Sequence, residues 1–151
     1  MYDRSPLFQP TSNGGECQPG EFCPVGSPAP IPCTAGKFCN SSGLALPVAD
    51  CDAGWYCPTG SSSPRQVQCP QGYFCPVGSD LPEPCRNGTY GATIKLTAQS
   101  ECEACDPGYY CNETAATTVS GVCHAGQSLF AFRCSVGFLW FPQIMKNHSD
   151  L

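Results

Sequence analysis

The chain has 151 residues, of which 14 are cysteine, 16 glycine and 16 proline, and it carries a formal net charge of −5. A cysteine share of about 9 % marks a disulfide scaffold in a short secreted chain, and the mild, dispersed acidity excludes the clustered Lys and Arg of a nucleic-acid surface. Long aliphatic residues are too scarce between positions 17 and 123 to build one sizeable core, which is the situation in which small domains are stapled by disulfides.

Residues 1–16 form a disordered N-terminal segment by this reading. They contain no apolar run able to serve as the core of a signal peptide. Since a disulfide scaffold needs an oxidising compartment, the expectation is a piece of a larger secreted or membrane-anchored protein.

From Cys17 the sequence repeats itself. "CQPGEFC" (17–23), "CTAGKFC" (33–39), "CDAGWYC" (51–57), "CPQGYFC" (69–75) and "CDPGYYC" (105–111) share the pattern C-x-x-G-x-aromatic-C. A further copy, "CRNGTYG" (85–91), replaces its second cysteine by Gly91, and another opens as "CHAG" (123–126) before the pattern dissolves. Intervening spacers of 9 or 11 residues often open with Pro, a small or β-branched residue, Gly and Ser. Tandem units of this size contact mainly their neighbours and stack in one dimension.

The residue types suggest their roles. A glycine in the middle of the motif accepts the positive φ of a tight turn. The aromatic before the second cysteine (Phe22, Phe38, Tyr56, Phe74, Tyr90, Tyr110) is the largest apolar cover obtainable from one residue and can lie over a disulfide or the next unit's proline. Helical periodicity is absent, strand-like alternation is short, and "GATIKLTAQ" (91–99) is the best strand candidate. Beyond Gln127 the pattern ends in a hydrophobic tail, 127–151, with five of the chain's 16 aromatics. Its apolar stretch 128–145 is interrupted by Arg133, Pro142 and Gln143 and falls short of the roughly 20 apolar residues of a membrane span. The break within a copy points to truncation or alternative splicing.

Two registers of pairing compete. In one, each motif closes on itself: Cys17–Cys23, Cys33–Cys39, Cys51–Cys57, Cys69–Cys75 and Cys105–Cys111. In the other, bridges span the spacers, as in Cys39–Cys51 and Cys57–Cys69. The chain-entropy gain, roughly 2 to 3 kcal/mol for loops of either length, does not separate them. The irregular copy favours the first, because Cys85 then takes Cys102 in place of the missing cysteine, Cys123 reaches Cys134, and all fourteen are paired.

The segment "CRNGTYGATIKLTAQSECEACDPGYYC" (85–111) resembles the ephrin-receptor-like cysteine-rich repeat, related in style to EGF-like and tumour-necrosis-factor-receptor modules. The likeness extends over 17 to about 126, closely only at 85–111. It implies an extracellular, disulfide-bonded repeat with Cys85 bridged to Cys102. No kinase element accompanies it, neither a glycine-rich loop with its lysine nor H-R-D or D-F-G.

Competing chemistries find little support. Only "CEAC" (102–105) has the spacing of a zinc or thioredoxin-type pair, and no second pair or βαβ context accompanies it. The two histidines, His124 and His148, lie outside the complete motifs, so nucleophilic cysteine catalysis has no base. The sequence therefore predicts a small disulfide-rich fold of loops and short β-hairpins, an elongated tandem-repeat rod with no large hydrophobic core, and no catalytic residue, metal or cofactor. The predicted role is that of an extracellular or cell-surface segment serving as a spacer or protein-interaction and adhesion region, with the ligand-binding part of a receptor ectodomain as the alternative and a thiolate metal-binding protein ranked third. Its partners would be other extracellular proteins or the rest of a parent chain, with no nucleic acid or small-molecule substrate. Trp55, Tyr73 and Tyr109 are candidate contact residues, since Tyr and Trp are over-represented at binding hot spots, although packing on a neighbouring unit is the favoured reading. Asn40, Asn87, Asn112 and Asn147 head N-x-S/T sequons.

Overall fold

A computed structural model of the chain describes residues 17–124. The segments 1–16 and 127–151, the sequon at Asn147, and Cys134 with its expected bridge to Cys123 lie outside them.

Each copy of the motif wholly within the described residues begins with a β-turn. The backbone N–H of Glu21 donates to the Gln18 carbonyl, and the same bond recurs from Lys37 to Thr34, Trp55 to Asp52, Tyr73 to Pro70, Thr89 to Arg86 and Tyr109 to Asp106. The third residue of each turn is the motif glycine, held at a φ of 80° to 94°. This is the type II arrangement, which calls for glycine there and favours proline just before it, as Pro19 and Pro107 supply.

The turn leads into a strand of two residues, which pairs with the last two residues of the spacer. Six antiparallel hairpins result: β1 (Glu21–Phe22) with β2 (Ile31–Pro32), β3 (Lys37–Phe38) with β4 (Ala49–Asp50), β5 (Trp55–Tyr56) with β6 (Val67–Gln68), β7 (Tyr73–Phe74) with β8 (Glu83–Pro84), β9 (Thr89–Tyr90) with β10 (Glu103–Ala104), and β11 (Tyr109–Tyr110) with β12 (Gly121–Val122). Every second strand runs straight into the next copy's first cysteine. The N–H of that cysteine closes the hairpin on the preceding motif glycine, from Cys33 to Gly20 and from Cys51 to Gly36 onward to Cys123 and Gly108. A short 3₁₀ turn, Gln99–Glu101, precedes Cys102.

Among pairs wholly within the described residues, the disulfides join Cys17–Cys23, Cys33–Cys39, Cys51–Cys57, Cys69–Cys75, Cys85–Cys102 and Cys105–Cys111, with Cα atoms 5.9 to 6.2 Å apart. Bridges within the motif thus occur wherever both of its cysteines are present. Gly91 shows why the irregular unit needs no side chain at the lost position. A Cβ there would stand 2.9 Å from the Gly72 nitrogen and 3.2 Å from the Cys85 sulfur. With Cys85 bridged to Cys102, nothing larger than hydrogen fits.

Consecutive units are tied by a recurring set of backbone bonds. The Gly20 N–H donates to the Cys39 carbonyl, Gly36 to Cys57, Gly54 to Cys75, Gly72 to Gly91 and Gly88 to Cys111. In return, a spacer residue at positive φ (Gly43, Gly60, Gly78, Lys95 or Ala115) donates to the first cysteine of the unit before it. The second cysteine of each motif, or Gly91 in its place, donates to the residue after that spacer position: Leu44, Ser61, Ser79, Leu96 or Ala116. The backbone is therefore satisfied between units by a ladder that does not depend on side-chain identity, as buried N–H and C=O groups require. It also explains how Gly91 can replace a cysteine without breaking the stack.

The core follows the same line. Among the described residues, the buried apolar side chains are cysteines except for Phe38, Phe74 and Leu96. Phe38 packs against Cys51 and Cys57 of the following unit, and Phe74 against Cys85, Cys102 and Leu96. The fold is a disulfide-rich series of hairpins with almost no helix. One local expectation fails: segment 91–99 is not a strand. Its one pairing is an isolated parallel bridge of Leu96 with Phe74, because Lys95 takes the left-handed spacer position (φ 64°) and breaks the extended run.

Candidate functional site

Within each two-residue strand, adjacent side chains point to opposite faces. The second residue, the motif aromatic, turns inward: Phe38 and Phe74 are buried, and Phe22, Tyr56, Tyr90 and Tyr110 are half-buried. The first residue lies on the outer edge. There stand Glu21, Lys37, Trp55, Tyr73, Thr89 and Tyr109 in successive units, all half-covered except Tyr109, which is 39 % exposed.

The three proposed contact aromatics meet different surroundings. Trp55 is capped by the Lys95 ammonium, 4.8 Å from its ring centroid. That lysine belongs to the unit two places on, so the contact reaches past the nearest neighbour. Tyr73 lies opposite Pro84 in its hairpin. Tyr109 lies opposite Val122, itself 53 % exposed, so these two form the most open apolar spot on this edge. The motif pattern brings the rings to equivalent places but does not gather them into one pocket.

Two ion pairs lie on this surface among the described residues, one of them across a hairpin. The Lys37 Nζ lies 2.5 Å from Asp50 Oδ1, its cross-strand partner, and Arg65 Nε lies 2.8 Å from Asp52 Oδ2. Both pairs are solvent-exposed, where such contacts contribute about 0–1 kcal/mol. Asp50 and Asp52 are therefore both partners of cations. Sequence reasoning left these ion pairs unassigned, although a Lys-to-Asp spacing that spans a hairpin was available as a signal.

Among the described residues, two groups have displaced proton affinities. A side-chain hydrogen bond with Glu103, its neighbour across the hairpin, raises the Tyr90 phenol above its ordinary value, with burial adding to it. The Glu101 carboxyl is held below its ordinary value chiefly by the Thr97 backbone N–H, which donates to Oε2 at 2.5 Å. The Thr97 hydroxyl donates to Oε1 at 3.1 Å. This carboxylate clamps the turn that delivers Cys102 to Cys85.

Cys102 and Cys105 of "CEAC" belong to separate bridges, so the pair is not a dithiol. No group of three or more His, Cys, Asp or Glu among the described residues is placed to hold a metal. No helix among them is long and apolar enough to cross a membrane. Asn40, Asn87 and Asn112 are all exposed. Compared with known proteins, the chain matches no family model and no curated protein sequence.

Proposed function

We propose that the chain is a non-catalytic, extracellular cysteine-rich segment of a larger secreted or cell-surface protein, serving as a spacer or as a protein-interaction region. The observation that carries this reading is the composition of the interior. Among the described residues the buried apolar groups are, with three exceptions, half-cystines, so the stack depends on an oxidising compartment. The resemblance of 85–111 to the ephrin-receptor-like repeat supports the same environment. The ladder suits a spacer, since units add end to end without any change in the backbone bonds that join them.

A second reading, the ligand-binding part of a receptor ectodomain, rests on the open Tyr109–Val122 spot and the aromatic edge beside it. The two are separated by binding of candidate extracellular proteins to the chain and to its Trp55→Ala, Tyr73→Ala and Tyr109→Ala forms. Loss of binding with the disulfides intact favours recognition, and unchanged binding favours the spacer. The shared premise is tested by alkylating the full chain, directed into the secretory pathway of animal cells by an added signal peptide, without reductant. A secreted product that takes up no alkyl groups is expected. Free thiols throughout would contradict the extracellular reading.

A further inference from the structure

Two of the exposed sequons share one construction. In three units the residue after the second cysteine is proline, and the spacer turn reads Pro24-Val25-Gly26, Pro58-Thr59-Gly60 and Pro76-Val77-Gly78. In two others it is asparagine with one residue inserted: Asn40-Ser41-Ser42-Gly43 and Asn112-Glu113-Thr114-Ala115. The asparagine thus follows the bridge directly. The sequon hydroxyl stands immediately before the residue at positive φ, Gly43 at 68° or Ala115 at 58°.

Asn40, Ser42, Asn112 and Thr114 are all exposed. None of them supplies a bond to the ladder. Those bonds come instead from their neighbours: Gly43 and Leu44 bind the unit of Cys17, and Ala115 and Ala116 bind the unit of Cys85. Asn87 is built differently. It lies inside a motif turn, and the Thr89 hydroxyl of its sequon donates to the Arg86 carbonyl at 2.7 Å and accepts from Gln99 Nε2 at 3.3 Å.

We infer that Asn40 and Asn112 are matched N-glycosylation sites, on which the spacer turn presents an acceptor amide and its hydroxyl outside the inter-unit ladder. The co-substrate class is a lipid-pyrophosphate-linked oligosaccharide. The side-chain Nδ2 attacks C1 of the first sugar, forming the Nδ2–C1 bond. The C1–O bond to the pyrophosphate breaks and its electron pair leaves on that oxygen, while one Nδ2 proton passes to base. A bulky glycan is thereby carried at two equivalent places without displacing a neighbouring unit. The inference rests on the extracellular reading above.

The test uses the full chain secreted from animal cells. Enzymatic deglycosylation in isotopically labelled water should convert Asn40 and Asn112 to labelled aspartate. Asn40→Gln and Asn112→Gln should each remove one glycan's mass, and Ser42→Ala and Thr114→Ala should do the same although the asparagine remains. Unmodified Asn40 and Asn112 in secreted protein whose cysteines are oxidised would overturn the inference and leave the extracellular reading intact. Free thiols throughout would instead remove that reading.

Discussion

Gly54 is fixed by two demands that its neighbour Ala53 does not face. Its φ is +80°, and a Cβ would stand 2.8 Å from the Lys95 carbonyl oxygen of the unit two places on. Gly88 has the same backbone, at φ +87°, with nothing within 4 Å of the same point. Alanine at Gly88 should therefore cost only the left-handed conformation, about 1–2 kcal/mol. Alanine at Gly54 adds an overpacking cost of about 1–3 kcal/mol, and denaturant midpoints of the two variants should differ accordingly. Ala115 presents the reverse case, an alanine at φ 58° where Gly43, Gly60 and Gly78 stand in other units and Lys95 in one more. Ala115→Gly should raise stability by up to about 1 kcal/mol, the relief of strain less glycine's extra unfolded-state entropy.

Glu101 gives a pH dependence of definite sign. Its folded pKa lies below its unfolded one, so its contribution is complete above the unfolded value and is lost as pH falls through the folded one. Unfolding with the bridges intact, followed across and below about pH 4, should show a loss of stability that Glu101→Gln removes. An unchanged profile in that variant would contradict the clamp.

At the scale of the element, the unit is a type II turn, a four-residue hairpin and a bridge. The turn was legible in C-x-x-G, because glycine at the third turn position is what positive φ requires. The hairpin was legible only as a class. Its second strand, for example Glu83–Pro84 or Ala49–Asp50, is exposed and has no apolar alternation to betray it. The segment 91–99 misled for the complementary reason: β-branched and apolar residues suggested a strand, but tertiary position imposed the spacer turn on Lys95. Propensity of this kind describes fit to a half-buried pleat, and here the pleat is elsewhere. The bridges differ by loop length. Replacing Cys85 and Cys102 together by alanine should cost about 3 kcal/mol and replacing Cys33 and Cys39 together about 2 kcal/mol in the chain-entropy model, a difference that thermal unfolding can read.

At the scale of the whole molecule, the described stack holds together through backbone bonds between neighbours and through contacts that reach two units on. The first were not legible. They join glycine, cysteine and spacer positions by main-chain groups, and no side-chain pattern encodes them. The second were partly legible, since every complete motif keeps its glycine, but the sequence assigns that glycine to a turn and not to the passage of a later spacer. The place of Trp55 in the motif left an outward position and packing on a neighbouring unit both open, with packing favoured. Its cover, Lys95, was not legible, because the pair is separated by a full unit. Exposed cation–π contacts contribute about 0.5–1 kcal/mol, so a double-mutant cycle on Trp55 and Lys95 should return a coupling of that size if the two-unit contact holds in solution.

The central claim is that each complete motif closes on itself, so that no covalent bridge crosses its spacer. Arg65 lies in the spacer between Cys57 and Cys69, and cleavage after it reads this directly. Trypsin acting on the unreduced chain, followed by mass measurement under denaturing conditions, should separate the pieces on either side of Arg65. Fragments from either side of the Lys37 cut should remain joined through Cys33–Cys39. Pieces that stay linked across Arg65 until reductant is added would mean that Cys57 is bridged to Cys69, and would contradict the account.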